Sequence, residues 1–141
     1  MVGAYHGGPL TLLGCDRYLT VAALAEARMA FPADQAESNR RPIEPRVAQS
    51  DSLRADPYAE AAAGVVLCNP PFNERDWGFA EPAAGPRWTL GLPPRTEPEL
   101  VWVQHALARL RPGGAAVVLL PPAVASRRAG RRIRGGCAPG R

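Results

Sequence analysis

The tetrad Asn69-Pro70-Pro71-Phe72 follows directly on Gly64-Val65-Val66-Leu67-Cys68, a β-branched and aliphatic run of the kind found in a strand covered on both faces. Two prolines make continuation of a hydrogen-bonded ladder impossible, so the strand must end where the asparagine begins. Proline also fixes the local backbone, so acceptor groups placed here need not reorganise when a ligand arrives. Two further candidate strands end in acids. Thr11-Leu12-Leu13-Gly14-Cys15 runs into Asp16, and the weaker Arg46-Val47-Ala48-Gln49 runs into Ser50-Asp51-Ser52. In an α/β sheet the ligand sits beyond the carboxyl ends of the strands, which is where Asp16, Asp51 and Asn69 would lie. A lone acid after a strand is commonly a cap or turn residue. The plain alternative for the tetrad is a strand-terminating turn with a packed phenylalanine. Three polar strand ends in succession form the more specific constellation.

The other elements must carry these ends. From Arg17 to Phe31, alanines with Leu19, Leu24 and Met29 predict a helix with Val21, Leu24, Ala25 and Arg28 or Met29 along one side, stopped by Pro32. Residues 33–45 read as a surface loop. Residues 73–95 form a long connection bearing Trp77, Pro82, Pro86, Trp88 and Pro93-Pro94, and loops of that length in a compact domain are usually functional. Thr96-Glu97-Pro98-Glu99 has the form of a capping box. The helix it opens carries Leu100, Val103, Leu107 and Leu110 at helical spacing, with Arg109 and Arg111 near its negative end. Pro112-Gly113-Gly114 should end it. Ala115 to Leu120 predicts another buried strand, and Val124 to Arg134 a basic helix. This alternation is that of an α/β layer sheet with right-handed crossovers.

Length and composition set the bounds. At 141 residues the chain is long enough for one domain with a real core, and its 46% hydrophobic and 21% charged residues are globular composition. The formal net charge of +4 favours an anionic partner such as nucleic acid, and much of the excess sits in Arg127, Arg128, Arg131, Arg132, Arg134 and Arg141. Phosphate contacts from these arginines, or a merely solvated basic face, are equal readings. The cysteines Cys15, Cys68 and Cys137 are odd in number with no metal-type spacing, so no metal is expected; Cys15 and Cys68, in or beside apolar runs, read as structural, and the thiols as reduced. His105, between apolar helix positions, reads as structural, and Trp88 and Trp102 as core or loop anchors. No run approaches the roughly 18 apolar residues needed to span a bilayer, so a cytoplasmic protein is the expectation.

Val66-Leu67-Cys68-Asn69-Pro70-Pro71-Phe72-Asn73 resembles the catalytic motif of methyltransferases acting on adenine N6 in DNA. Arg87-Trp88-Thr89-Leu90-Gly91-Leu92-Pro93-Pro94, Trp102-Val103-Gln104-His105 and Leu110-Arg111-Pro112-Gly113-Gly114 narrow the resemblance to the modification subunits of type I restriction–modification systems. It runs from about Leu13 to Arg134. It implies a Rossmann-like sheet and S-adenosylmethionine as methyl donor. Asn69, Pro70, Pro71 and Phe72 would be the catalytic set, with the Asn69 side-chain oxygen and the Pro70 carbonyl accepting from the amine hydrogens and Phe72 stacking on a flipped-out base. Asp16 would accept from the donor's ribose hydroxyls, Asp51 would bind its adenine amine, and Asn69 would border the donor as well. Arg127, Arg128, Arg131 and Arg132 would meet DNA phosphates.

The resemblance also carries a departure. The family places a strand and a turn of the type Asp-Pro-x-Cys-Gly-x-Gly ahead of the strand ending at Asp16, and His6-Gly7-Gly8-Pro9 does not match it. The expectation is therefore a fragment: an irregular segment over residues 1–10, a partial methylase domain over 11–134, and a flexible tail over 135–141. Its strands would pair two by two with unpaired edges, and the chain alone would be weak or inactive. DNA is the expected partner, with a specificity subunit, a restriction subunit or a complementary methylase fragment beside it. The rival readings are an inactive remnant that only binds DNA, and methylation of RNA or protein glutamine by the same tetrad.

Overall fold

A computed structural model describes residues 10–34, 43–74, 77–78 and 87–137. Most of the segment expected to be irregular, His6-Gly7-Gly8-Pro9 within it, lies outside the described residues, as do Pro82, Pro86 and Arg141. The order of elements is β1 (Leu10–Asp16), α1 (Leu19–Asp34), β2 (Ile43–Gln49), β3 (Ala63–Cys68), α2 (Glu99–Ala108), β4 (Leu110–Val118), α3 (Ala123–Ser126) and α4 (Arg131–Gly136). The fold is α/β. The chain divides into two compact units, Met1–Tyr58 and Ala59–Arg141. Among the described residues each holds a two-stranded parallel sheet, β1 with β2 and β3 with β4, so these strands pair two by two.

In the first unit β1 and β2 run in register from Leu10 opposite Ile43 to Asp16 opposite Gln49. Strand β2 begins earlier than its sequence suggests; among the described residues it pairs with β1 alone, and an edge strand tolerates Pro45. Helix α1 presents Ala22, Ala25 and Met29 as its more buried side, whereas Val21 and Leu24 are exposed. The apolar face is thus turned by one position from the expected one. Small and flexible residues explain it: the Met29 methyl lies 3.3 Å from where a Gly14 side chain would begin, and Val47 is equally close. The helix extends through position 32 to Asp34, past the expected stop.

In the second unit Ala63 pairs with Leu110, and Val65 to Cys68 pair with Ala115 to Val118. Between them Arg111, Pro112, Gly113 and Gly114 lie opposite Gly64, a bulge in which Gly113 takes φ +77°. The Pro112-Gly113-Gly114 run therefore sits inside β4 instead of closing a helix, and α2 stops at Ala108 with Arg109 as its cap. Nor is the strand pair covered on both faces. Val65, Leu67, Val117 and Leu119 are exposed, while Val66, Cys68, Ala116 and Val118 on the opposite face are half-buried. The expected basic helix is broken into α3 and α4 by Arg127 to Gly130, and Gly135 and Gly136 belong to α4 and not to a flexible tail. The core of this unit is Leu100, Val124 and Ile133, packed against Leu90, Val103 and Leu120.

Candidate functional site

Asp16 and Asp51 stand at the same carboxyl edge of the first sheet. The Ser50 N–H donates to the Asp16 carbonyl at 2.9 Å, which extends the pairing to the last residue before Asp51. Both acids close local turns. The Asp16 Oδ1 accepts from the Tyr18 N–H at 2.8 Å, and the Asp51 Oδ1 accepts from the Leu53 N–H at 3.0 Å. The Asp51 Oδ2 is in addition paired with Arg54 at 2.8 Å. Partial burial pushes the Asp51 carboxyl up, but the Arg54 guanidinium and the Leu53 and Arg54 N–H groups outweigh it and hold it below the ordinary carboxylate value. Asp16 is half-buried, and its Oδ1 is the oxygen used in the turn. Beside it, the Cys15 thiol donates to the Ser50 carbonyl at 3.1 Å, and burial followed by the Asp56 charge pushes that thiol up.

The tetrad leaves β3 as expected. The Cys68 carbonyl still accepts from the Leu119 N–H at 2.9 Å, and Asn69 follows, exposed. Pro70 is buried, while Pro71 and Phe72 are exposed. The turn then closes at Asn73, a non-glycine residue at φ +58°. Its N–H donates to Glu99 Oε1 at 3.3 Å. Glu99 is fully buried, and its other oxygen pairs with Arg127 at 3.4 Å.

Glu97, two residues earlier, plays a parallel part. It is 1% exposed, accepts the Gly130 N–H at 2.9 Å through Oε1, and meets Arg134 at 3.3 Å through Oε2. Arg134 also donates to the Arg127 carbonyl. The capping box is consequently not formed: Pro98 is the N-cap of α2, no side chain caps it, and backbone turns from Pro94, Glu97 and Pro98 lead in. The two carboxylates are used over long range instead.

Gln104 is the third buried polar residue. Its Oε1 accepts from the Leu90 N–H at 3.1 Å and its Nε2 donates to the Gly91 carbonyl at 2.7 Å. It thereby locks the Trp88–Gly91 turn, whose Gly91 sits at φ +91°, onto α2. Trp88 packs near the buried Trp77 with ring centres 6.1 Å apart, and Trp102 meets His105 edge-on at 6.1 Å. The sequence showed Glu97 and Glu99 only as a capping box and Gln104 only within a short motif, and not their long-range roles, since their partners lie 13 to 37 residues away.

The arginine cluster separates into two kinds. Arg127 and Arg134 are each paired with a buried glutamate, and both keep part of their side chains exposed. Arg128, Arg131 and Arg132 are exposed, and among the described residues no ion pair is seen at their side chains. Arg131 and Arg132 line an open cleft of about 440 Å³ with Thr89, Leu90, Gly135 and Gly136. Among the described residues no helix is long and apolar enough to cross a membrane.

A family model described as N-6 DNA methylase matches residues 9–136. The chain belongs to that family. It is also 31% identical over 71 residues to the type I restriction enzyme HindI methylase subunit of Haemophilus influenzae, a match covering 50% of this chain and 16% of that protein. The chain thus spans well under two thirds of the curated relative it matches. No solved structure gives a significant match.

A methyl donor carrying a ribose and an adenine offers hydroxyl and amine hydrogens, and the first unit's strand ends offer acceptors of the right kind. At Asp16 one carboxylate oxygen is engaged in the Tyr18 turn, which leaves acceptor capacity of the kind a diol needs. Asp51 has both oxygens engaged in its own turn and could add a donor only through their remaining lone pairs.

Proposed function

We propose that this chain provides the base-binding and part of the donor-binding machinery of a DNA adenine-N6 methyltransferase in a restriction–modification type system, on a Rossmann-like S-adenosylmethionine-dependent fold. The observation that carries the reading is the anchored Asn69–Phe72 turn at the carboxyl end of β3, in a chain matched by the N-6 DNA methylase family over residues 9–136.

The amine nitrogen of adenine is a poor nucleophile because its lone pair is delocalised into the ring. Asn69 Oδ1 and the Pro70 carbonyl would accept its two hydrogens and stabilise the charge that develops on nitrogen. Pro70 and Pro71 keep those acceptors from reorganising during transfer. Phe72, exposed beside them, would stack on the base after it leaves the duplex. Asp16 and Asp51 would orient the donor through hydroxyl and amine hydrogens. The donor, when bound, supplies a sulfonium-activated methyl group, so no covalent nucleophile on the protein is needed. DNA is the substrate in this reading, and Arg128, Arg131 and Arg132 would supply phosphate contacts without sequence information. A specificity subunit would supply that information, and other subunits of the system complete the assembly.

Two variants test it. Calorimetry with S-adenosylmethionine on the full chain should show binding that Asp16→Ala weakens at least tenfold. Transfer of a labelled methyl group to unmethylated DNA should be abolished by Asn69→Ala, with donor binding retained within about twofold. Loss of both in Asn69→Ala would make the residue structural, and transfer unaffected by it would sink the reading.

A further inference from the structure

We infer that Glu99, held by Arg127, is a positioning residue that sets the geometry of the Asn69–Phe72 turn. The role rests on reading that turn as the base site; the contact itself does not. Prolines 70 and 71 fix φ at their own positions and leave the exit of the turn undetermined. The exit is Asn73, whose φ of +58° lies in the left-handed region that asparagine enters more readily than other residues with a side chain, so the conformation is accessible but must be selected. Its N–H is directed at Glu99 Oε1, 3.3 Å away.

Glu99 is suited to hold it because it has no freedom of its own. It begins α2, where a carboxylate is favoured by the helix dipole, and its side chain is 0% exposed. A carboxylate so buried requires a counter-charge, and Arg127 supplies one at 3.4 Å. Arg127 is itself fixed, since its carbonyl accepts from Arg134, which is tied to Glu97. A chain of contacts thus runs from the α3–α4 connection through a buried carboxylate to the backbone that closes the tetrad. All of it lies within the second unit.

The test uses the nitrogen-15-labelled full chain, with amide hydrogen exchange read at Asn73 and, as reference, along β3 and β4. Glu99→Gln keeps the shape and one acceptor but removes the charge, and a charge-assisted bond is roughly twice as strong as a neutral one. Asn73 exchange should rise about tenfold while the strand amides keep their rates. Arg127→Ala should produce the same local rise and Arg127→Lys should reverse most of it. Arg127 is partly exposed, so this pair carries the test if Glu99→Gln does not fold. A uniform rise across the unit would reduce Glu99 to a stabilising residue and overturn the proposal, as would an Asn73 rate unchanged in both variants. Adenosine, added as the probe of the base site, should shift the Asn69 side-chain amide in the parent chain and do so about tenfold more weakly in Glu99→Gln. An Asn69 amide indifferent to adenosine in the parent chain would fail the base-site reading and with it the positioning role, whereas the Asn73 rates would still judge the strut.

Discussion

The residue that delivers the chain to the tetrad is Cys68, and burial pushes its thiol up to about 11. That value keeps it neutral and unreactive beside Asn69, in line with the inert role its apolar neighbours suggest. It also has a consequence for stability. In the unfolded chain the thiol titrates near 9.0, whereas in the folded chain it keeps its proton until about 11. Across that window the unfolded state loses the proton first, so the contribution of Cys68 is intact below pH 9 and is lost as pH rises toward 11. Urea unfolding of the parent chain and Cys68→Ala should show the difference between them shrinking over that range, and a difference independent of pH would mean the thiol is not desolvated. At the same scale, the turn chemistry of Asp16, Asp51 and the two prolines was legible because it depends on neighbours in the chain. The parts of Glu97, Glu99 and Gln104 were not, because a carboxylate before a helix reads as a cap until its distant partner is known.

At the scale of elements, the strands and their carboxyl ends followed from apolar runs and breakers, and the helical faces followed less well. Helix α2 shows why. Leu100 is 1% exposed, while Leu107, on the same expected stripe, is 37% exposed. The helix is only ten residues long, Leu110 beyond it belongs to β4, and the buried side is decided by Val124 and Ile133. Leu100→Ala should therefore cost about 2–5 kcal/mol in unfolding free energy, and Leu107→Ala about 1 kcal/mol or less. Equal losses would mean that the helix packs on the stripe its spacing suggests. The broken basic helix has a comparable cause. A side chain at Gly130 would collide with Glu97 Oε2 and Leu100 Cδ1, so only glycine lets the connection between α3 and α4 pass that close.

At the scale of the molecule, charge points to a polyanion only where it is left unpaired. Arg128, Arg131 and Arg132 are exposed and show no ion pair among the described residues, whereas Arg127 and Arg134 pair with buried carboxylates. Binding of the full chain to duplex DNA should weaken with salt, and each of Arg128→Gln, Arg131→Gln and Arg132→Gln should reduce the slope of log affinity against log salt by about 0.9 if it touches a phosphate. Arg127→Gln should lower the melting temperature and leave the slope unchanged. A fall in slope with Arg127→Gln, and none with the other three, would reverse the division.

Sequence by itself determined the α/β class, the strand ends bearing Asp16, Asp51 and Asn69, and the family, because each rests on short-range pattern: apolar runs, prolines and turn acids read along the chain. Tertiary structure alone decided which arginines pair with buried carboxylates, which glutamates are buried, which side of each helix packs and where Pro112-Gly113-Gly114 falls. Those outcomes depend on pairing and close packing between residues far apart in the chain, and such pairing leaves no periodic trace in the order of amino acids.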